Sequence, residues 1–201
     1  SEGSEDQNRV IERRYDTIGP VIGQELKRRS VEVSVVVLLA ILAFIAWSFR
    51  QVSWPVKSWK YGIVAIVALF HDLVITLGAF VWLSSFFAWD VDTTFVAALL
   101  TILGYSVSDR IVVFDSVREN LPRMDLPFDE VVNASINQTL VRSLSTGFTT
   151  ILMMLAILFL GGETLRPFMF TLIVGVLLGT YSSIFIASPL LVTWQLRSSK
   201  K

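Results

Sequence analysis

An acidic residue, Asp109, lies within an apolar stretch long enough to cross a membrane as a helix, and Arg110 follows it directly. An ionised side chain at that depth costs several kcal/mol unless another group pairs with it or water reaches it. Such residues occur mostly where ions, protons or a partner require them. The next apolar stretch contains Arg142, which we predict to be the counter-charge of Asp109.

Polar residues recur at spacings of three and four in both stretches, so each stretch forms one polar stripe as a helix. The stripes consist of Thr101, Tyr105, Ser108 and Asp109, and of Thr139, Arg142, Thr146 and Thr149. Burial favours the neutral form of a carboxyl group, whereas a nearby guanidinium favours its charged form. We therefore predict that Asp109 relays protons and that Arg142, which keeps its charge, biases it. Tyr105 and Thr146 are secondary candidates.

Two alternatives stand beside the proton relay. Asp109 and Arg142 can form a static ion pair that fixes the helix register, or Asp109 can lie near the cytoplasmic face and stay hydrated. His71 and Asp72 lie about ten residues into another apolar stretch, near mid-membrane at ~1.5 Å per residue. A histidine beside an aspartate can extend a relay. The favoured interpretation of this pair is a polar contact packed against a neighbouring helix.

The elements that must position these residues are five long apolar runs. The chain has 201 residues, of which 53% are hydrophobic and 17% charged, as in integral membrane proteins. Each run provides the ~20 residues that a helix needs to cross the hydrocarbon core, and none shows the alternation of a β-barrel strand. The sequence therefore predicts an all-α membrane protein with a bundle of five transmembrane helices. The predicted spans are 31–49, 61–87, 93–114, 139–160 and 168–194.

The segments outside the spans are predicted as follows. Residues 1–30 form a polar extramembrane segment with a short helix leading into the membrane, 31–196 form the five-helix transmembrane domain, and 197–201 form a cytoplasmic tail. The longest loop is 115–138, in which an amphipathic helix opens at Pro127. Lysine and arginine are concentrated in the loops on the side of the C-terminus, so the positive-inside rule puts the C-terminus in the cytoplasm and the N-terminus outside.

The last span carries a stripe of small residues, which predicts close helix packing rather than chemistry. Its members are Gly175, Gly179, Ser183 and Ala187.

Composition argues against several classes of protein. The 17 basic and 17 acidic residues balance, and no basic patch is interleaved with aromatics, so we expect no nucleic-acid partner. The chain has no cysteine and one histidine, which excludes thiolate sites and zinc sites built on several imidazoles. It has no Walker A, GxSxG or HExxH motif. We therefore expect no enzyme activity, no cofactor and no metal, with energy supplied by an ion gradient or by another chain.

Seven motifs, in order along the chain, resemble the SecD/SecF family of bacterial protein-export membrane proteins, and the SecF branch in particular. They are GPVIGQEL from residue 19, FHDLVITLG from 70, GYSVSDRIVVFD from 104, VREN from 117, NQTLVR from 137, GGE from 161 and GTYSSIFIASP from 179. The SecD branch carries a VDAN-type motif where this chain has YS-x-x-D. At Arg110 the family more often has an uncharged residue such as threonine.

The resemblance implies half of an RND-type SecD–SecF assembly of twelve helices in the bacterial cytoplasmic membrane. SecF has a first helix, a periplasmic domain and five more helices; the chain matches the last five and begins without methionine, so we expect a fragment lacking the earlier parts. The implied partners are SecD, the SecYEG translocon and exported preproteins. The implied function is to use the proton-motive force in late steps of protein translocation. Asp109 and Arg142 correspond to the family's proton-pathway residues.

One alternative function and one passive role stay open. An RND-type proton-coupled exporter of lipids or small molecules would share the bundle and the charged residues. A passive scaffold would use Asp109 and Arg142 for packing alone.

Overall fold

The computed structural model describes residues 56–87 and 89–199, and individual residues between 25 and 47 that are helical. Three predicted segments are affected. Most of the polar segment 1–30, part of the first span 31–49 and the last two residues of the tail lie outside the described residues. Within the described ranges there is no strand, and four helices are long and apolar enough to cross a membrane. The predicted all-α membrane fold is confirmed for this part of the chain.

The first two described helices run antiparallel and are joined by a short connection. Helix α1 spans Ser58–Phe87 and α2 spans Thr93–Asn120. Asp92 caps α2: its side chain accepts hydrogen bonds from the backbone N–H of Phe95 at 2.9 Å and from the hydroxyl of Thr94 at 2.7 Å. An N-terminal aspartate satisfies amide groups that have no partner within the helix. The cap therefore fixes where α2 begins, sixteen residues before Asp109 when counted from Thr93.

The third helix begins earlier than predicted. Helix α3 spans Phe128–Leu160, so the amphipathic helix after Pro127 continues without a break into the membrane. Asp129 and Glu130 lie in its first turn, where acidic side chains interact favourably with the positive end of the helix dipole. Because α2 extends to Asn120, only 121–127 separate the two helices, and the long loop expected over 115–138 is mostly helical.

The last crossing is one helical stretch with two irregular turns. A 3₁₀ turn at Glu163–Leu165 leads into α4 at Arg166–Ser182, a π-helical turn follows at Ser183–Ala187, and α5 spans Ser188–Ser199. Pro167 lies in the first turn of α4, where the missing N–H costs nothing. A π turn adds a residue to the helical repeat and often marks a functional site.

The bundle has two helices in the middle, α2 and α4, with α1 on one side and α3 on the other. One apolar cluster joins α1 to α2, the π-helical turn and α5. A second joins α2 and α4 to α3. Members of the first include Val64, Leu69, Val107, Phe114 and Leu191, and members of the second include Ala98, Ile102, Met154, Leu172 and Val176. Polar side chains on α2 and α4 are therefore surrounded by protein on several sides.

The two ends of the bundle differ in their content of lysine and arginine. Trp59 packs edge-on against Trp194 at 5.3 Å, and Lys60 donates a 2.8 Å hydrogen bond to Gln195, so the start of α1 and the end of α5 lie at one end. That end carries the basic side chains Lys57, Lys60, Arg118, Arg123 and Arg197, together with the acidic side chains Asp115, Glu119, Asp125, Asp129 and Glu130. The opposite end carries Asp90, Asp92, Glu163 and Arg166. Tryptophans at a helix end are typical of a membrane interface.

Candidate functional site: a buried charge cluster

The centre of the bundle contains an ion pair between Asp72 of α1 and Arg110 of α2. Each side chain is only 1% exposed. The Arg110 Nη2 atom donates to the Asp72 Oδ2 atom and, at 2.8 Å, to the Ser182 hydroxyl. Ser182 in turn donates to the same Asp72 oxygen at 2.9 Å, and Ser106 donates to it at 2.6 Å. One carboxylate oxygen is therefore bound by three donors from two other helices.

The local sequence explains why these groups meet. Ser106 and Arg110 are four residues apart and lie on one face of α2. Gly179 of α4 lies against Ser106, since a Cβ built on the glycine would come within 2.9 Å of the Ser106 Oγ atom. A side chain at position 179 would hold the two helices apart. The small-residue stripe predicted for packing therefore brings Ser182 to the ion pair.

A buried ion pair of this kind is costly to break. Charges inside a low-dielectric bundle interact much more strongly than in water, and loss of one partner leaves the other uncompensated. His71 extends the cluster outward: its Nδ1 atom lies 3.2 Å from the Asp72 Oδ1 atom, and its side chain is 32% exposed. His71 and Asp72 are thus a polar contact packed against a neighbouring helix, and Asp72 is also half of an ion pair.

The second polar region is a cavity of about 170 Å³ between α2 and α3, next to the ion pair along α2. It is lined by Tyr105, Ser108, Asp109, Val112, Arg142, Ser143 and Thr146. A cavity of this size lined by several polar side chains has room for water. The structure thus brings Asp109, Arg142, Tyr105 and Thr146, all predicted site residues, to one cavity.

Asp109 is 9% exposed and faces serine hydroxyls. Ser143 of α3 and Ser183 of the π-helical turn lie beside its carboxyl group, and Arg110 lies close enough to act on it electrostatically. Among the described residues, the Oδ2 atom of Asp109 has no hydrogen-bond partner. A buried carboxylate oxygen without a partner is energetically costly in its charged form.

Arg142 does not form the ion pair predicted for it. Its side chain is exposed, and within 56–87 and 89–199 no acidic oxygen lies within 4.0 Å of its guanidinium. The buried guanidinium is that of Arg110, the residue next to Asp109. The sequence analysis assigns no partner to Arg110. The four-residue spacing of Ser106 and Arg110 is nevertheless a signal that both side chains lie on one face of α2. Ser182 and Ser183 were also missed, because two serines in an apolar helix look like packing residues.

Other residues of the predicted stripes have local roles. The Tyr105 hydroxyl lies 3.3 Å from that of Thr180 on α4. Thr101 and Thr149 donate to backbone carbonyls one turn back within their own helices. Thr139 is buried and does the same with Ser135. The cavity therefore includes every residue of the α2 stripe except Thr101, and only Arg142 and Thr146 of the α3 stripe.

A metal centre has no support in the described part of the chain, where no three histidine or acidic side chains are grouped to hold an ion. The buried charged groups of the site pair with each other and with serine hydroxyl groups.

The fold and the buried charges define a multi-pass helical membrane protein with an ionisable interior. Residues 2–197 match the family described as protein export membrane protein SecD/SecF, C-terminal. The chain belongs to this family.

Related proteins carry translocase names. The chain is 46% identical over 182 residues to protein translocase subunit SecF of Thermobaculum terrenum, covering 90% of this chain and 56% of the relative. It is 44% identical over 183 residues to protein translocase subunit SecDF of Thermus thermophilus, covering 90% of this chain and 23% of the relative. The chain spans little more than half the length of the SecF relative.

A solved structure has the same fold. A crystal structure of SecDF in a super-membrane-facing form matches with a TM-score of 0.77 at 43% sequence identity, covering 90% of this chain and 23% of that chain.

Proposed function

We propose that the protein is a protein-export subunit that works with a SecD partner and uses the proton-motive force to promote late steps of translocation across a bacterial cytoplasmic membrane. The observation that carries the proposal is a buried carboxyl group, Asp109, on a cavity shared with Arg142 in a chain of the SecD/SecF family. Intramembrane ionisable residues that face a cavity in the bundle interior are typical of proton pathways.

The cavity suggests a role for each residue. Asp109 takes up and releases the proton, because it is the one acidic group among the lining residues. Arg142 stays protonated and favours release by attracting the carboxylate across the cavity. Tyr105 and Thr146 provide hydroxyls along the path. These roles are those of an ion-driven translocase subunit.

The family supports a proposal for the partners, and the distribution of lysine and arginine supports one for the orientation. We place SecD beside this bundle, with the SecYEG translocon and exported preproteins as the further partners. The basic end of the bundle, where α1 begins and α5 ends, faces the cytoplasm, and the end with Asp90 and Glu163 faces outward. The translocase names of the relatives favour this role over export of lipids or small molecules.

The test uses the natural full-length protein with its SecD partner in membrane vesicles. Late-stage release of an exported protein is followed with and without a proton gradient, in wild type and in Asp109→Asn. Asp115→Asn is the matched control, because Asp115 lies on the same helix with a side chain 54% exposed. We expect the gradient to accelerate release in wild type and in the control only. A full response by an assembled Asp109→Asn protein contradicts the proposal.

A further inference from the structure

We infer that Arg110 is a counter-charge shared by two buried carboxyl groups, Asp72 and Asp109, and that Asp72 is therefore a second proton-binding group of the site. The inference rests on the proposed function only where it links the two carboxyl groups to proton-driven export. The charge sharing itself is a property of the bundle and can be measured without an export assay.

The first argument is that only one of the three guanidinium nitrogens of Arg110 has a hydrogen-bond partner among the described residues. Its Nη2 atom binds Asp72 and Ser182, whereas its Nε and Nη1 atoms are buried and have no hydrogen-bond partner among the described residues. The adjacent Asp109 has the complementary feature, a buried carboxylate oxygen without a partner. Buried donors and acceptors are nearly always paired, so neighbours that lack partners need an explanation. A second arrangement in which Arg110 binds Asp109 satisfies both.

The second argument is the position of the serines. Ser182 binds the Asp72–Arg110 pair, and Ser183, the next residue, lies beside Asp109. The π-helical turn begins at Ser183. Consecutive residues of one helix thus serve the two carboxyl groups at the point where the helical repeat changes.

The third argument is the charge balance. The charged and titratable groups that face the cluster are His71 and Asp72 from α1, Tyr105, Asp109 and Arg110 from α2, and Arg142 from α3; α4 and the π-helical turn contribute the hydroxyls of Thr180, Ser182 and Ser183. His71 and Arg142 are partly or fully exposed. The buried groups are therefore two carboxyls and one guanidinium, which balance when one carboxyl carries a proton.

These arguments define two states of the cluster. In the state observed, Arg110 pairs with Asp72, and the proton belongs on Asp109. When Asp109 releases its proton to the cavity, its carboxylate attracts Arg110. Asp72 then takes up a proton from water by way of His71, whose side chain is partly exposed and whose Nδ1 atom lies 3.2 Å from the Asp72 Oδ1 atom. Arg110 keeps its own proton throughout. Because Asp72 lies on α1 and Asp109 on α2, the exchange of partners links proton transfer to the contact between the helices.

The test measures which carboxyl is protonated. Dicyclohexylcarbodiimide reacts with protonated carboxyl groups in apolar surroundings, and peptide mass spectrometry separates labelling at Asp72 from labelling at Asp109. The full-length protein with its partner is labelled in vesicles over a range of pH, and only the assembled fraction is analysed. We expect labelling at Asp109 and little at Asp72 in wild type.

The variants move the label in opposite senses. In Asp72→Asn, Arg110 is free to bind Asp109, so labelling of Asp109 falls several-fold. In Arg110→Met, neither carboxyl has a buried counter-charge, so Asp72 becomes labelled as well. Arg110→Lys restores the wild-type pattern, and Asp115→Asn leaves it unchanged because that carboxylate is exposed.

Unchanged labelling of Asp109 in Asp72→Asn overturns the inference, since a merely structural ion pair would alter stability but not the protonation of its neighbour. If Asp72→Asn does not assemble, Ser182→Ala replaces it, because loss of the serine hydroxyl weakens the contact between Arg110 and Asp72. Unchanged labelling of Asp109 in Ser182→Ala likewise overturns the inference. If the labels shift as expected but release does not depend on Asp109, the charge sharing stands and the proposed function falls.

Discussion

Gly179 of α4 lies directly against Ser106 of α2. A Cβ built on the glycine would come within 2.9 Å of the Ser106 Oγ atom and 3.3 Å of its Cα atom. The Ser106 hydroxyl also donates the 2.6 Å hydrogen bond to Asp72. Close packing of the two middle helices therefore sets the position of a group that binds the buried ion pair, and helix packing and charge arrangement depend on each other.

Gly179→Ala is expected to destabilise the bundle and to disturb the ion pair. The added methyl group must displace Ser106 or separate α2 from α4, a kind of overpacking that costs ~1–3 kcal/mol. Thermal unfolding in detergent measures the change. Gly78→Ala is the matched control, because a Cβ there meets no atom within 4 Å. Alanine favours a helix interior by ~1 kcal/mol over glycine, so the control is expected to be neutral or slightly stabilising. Equal stability losses in both variants contradict this account.

Asp72 and Arg110 are expected to show strong coupling in a double-mutant cycle. Arg110→Met breaks the buried ion pair, which costs ~3–5 kcal/mol. Asp72→Asn is expected to cost less, because Arg110 can then bind Asp109. The double variant removes both charges and is expected to lose less than the sum, with a coupling energy of ~0.5–3 kcal/mol. Unfolding of the four proteins in detergent gives the value. Additive losses would show that the two side chains act independently.

The class of fold could be predicted from the sequence because length and apolar composition decide it. Each described span lies over a predicted apolar run, and the expected helical bundle is found there. The sequence predicts a helix opening at Pro127 but not its continuation into the membrane span as one helix, because an amphipathic surface helix and a membrane span joined end to end show two different patterns in sequence. The apolar run marks only the part that needs lipid, whereas hydrogen bonding lets the helix continue beyond it.

The composition of the site was predictable, but its pairing was not. The sequence indicated Asp109, Arg142, Tyr105 and Thr146, and these residues line one cavity. It could not indicate that Arg110 binds Asp72, because this contact depends on which face of α2 meets α1. Adjacent residues on a helix differ in direction by about 100°, so Asp109 and Arg110 face different neighbours.

Asn120 is expected to hold the end of α2 against α3. Its side-chain amide donates hydrogen bonds to the Ser135 hydroxyl at 2.9 Å and to the Gln138 Oε1 atom at 2.8 Å. Asn120→Leu leaves these acceptors without that donor, and a lost buried hydrogen bond costs ~1–3 kcal/mol. Asn133→Leu is the control, because Asn133 is exposed on the same segment of α3. Faster hydrogen exchange near the 121–127 connection in Asn120→Leu alone is the expected result. Equal exchange in both variants contradicts the role given to Asn120.

Thr146 provides a test of the cavity that leaves every charge in place. Thr146 lines the cavity beside Asp109, whereas Thr149 lies one turn further along α3 and donates to the Ser145 carbonyl instead. Thr146→Leu fills space that water can occupy and removes a hydroxyl, so we expect proton-gradient-dependent release to fall strongly while thermal stability changes little. Thr149→Leu makes the same chemical change outside the cavity and is expected to leave release unchanged. If Thr146→Leu proteins respond to the gradient as well as Thr149→Leu proteins, protons reach Asp109 by another route, and Arg142 then has no place on the path.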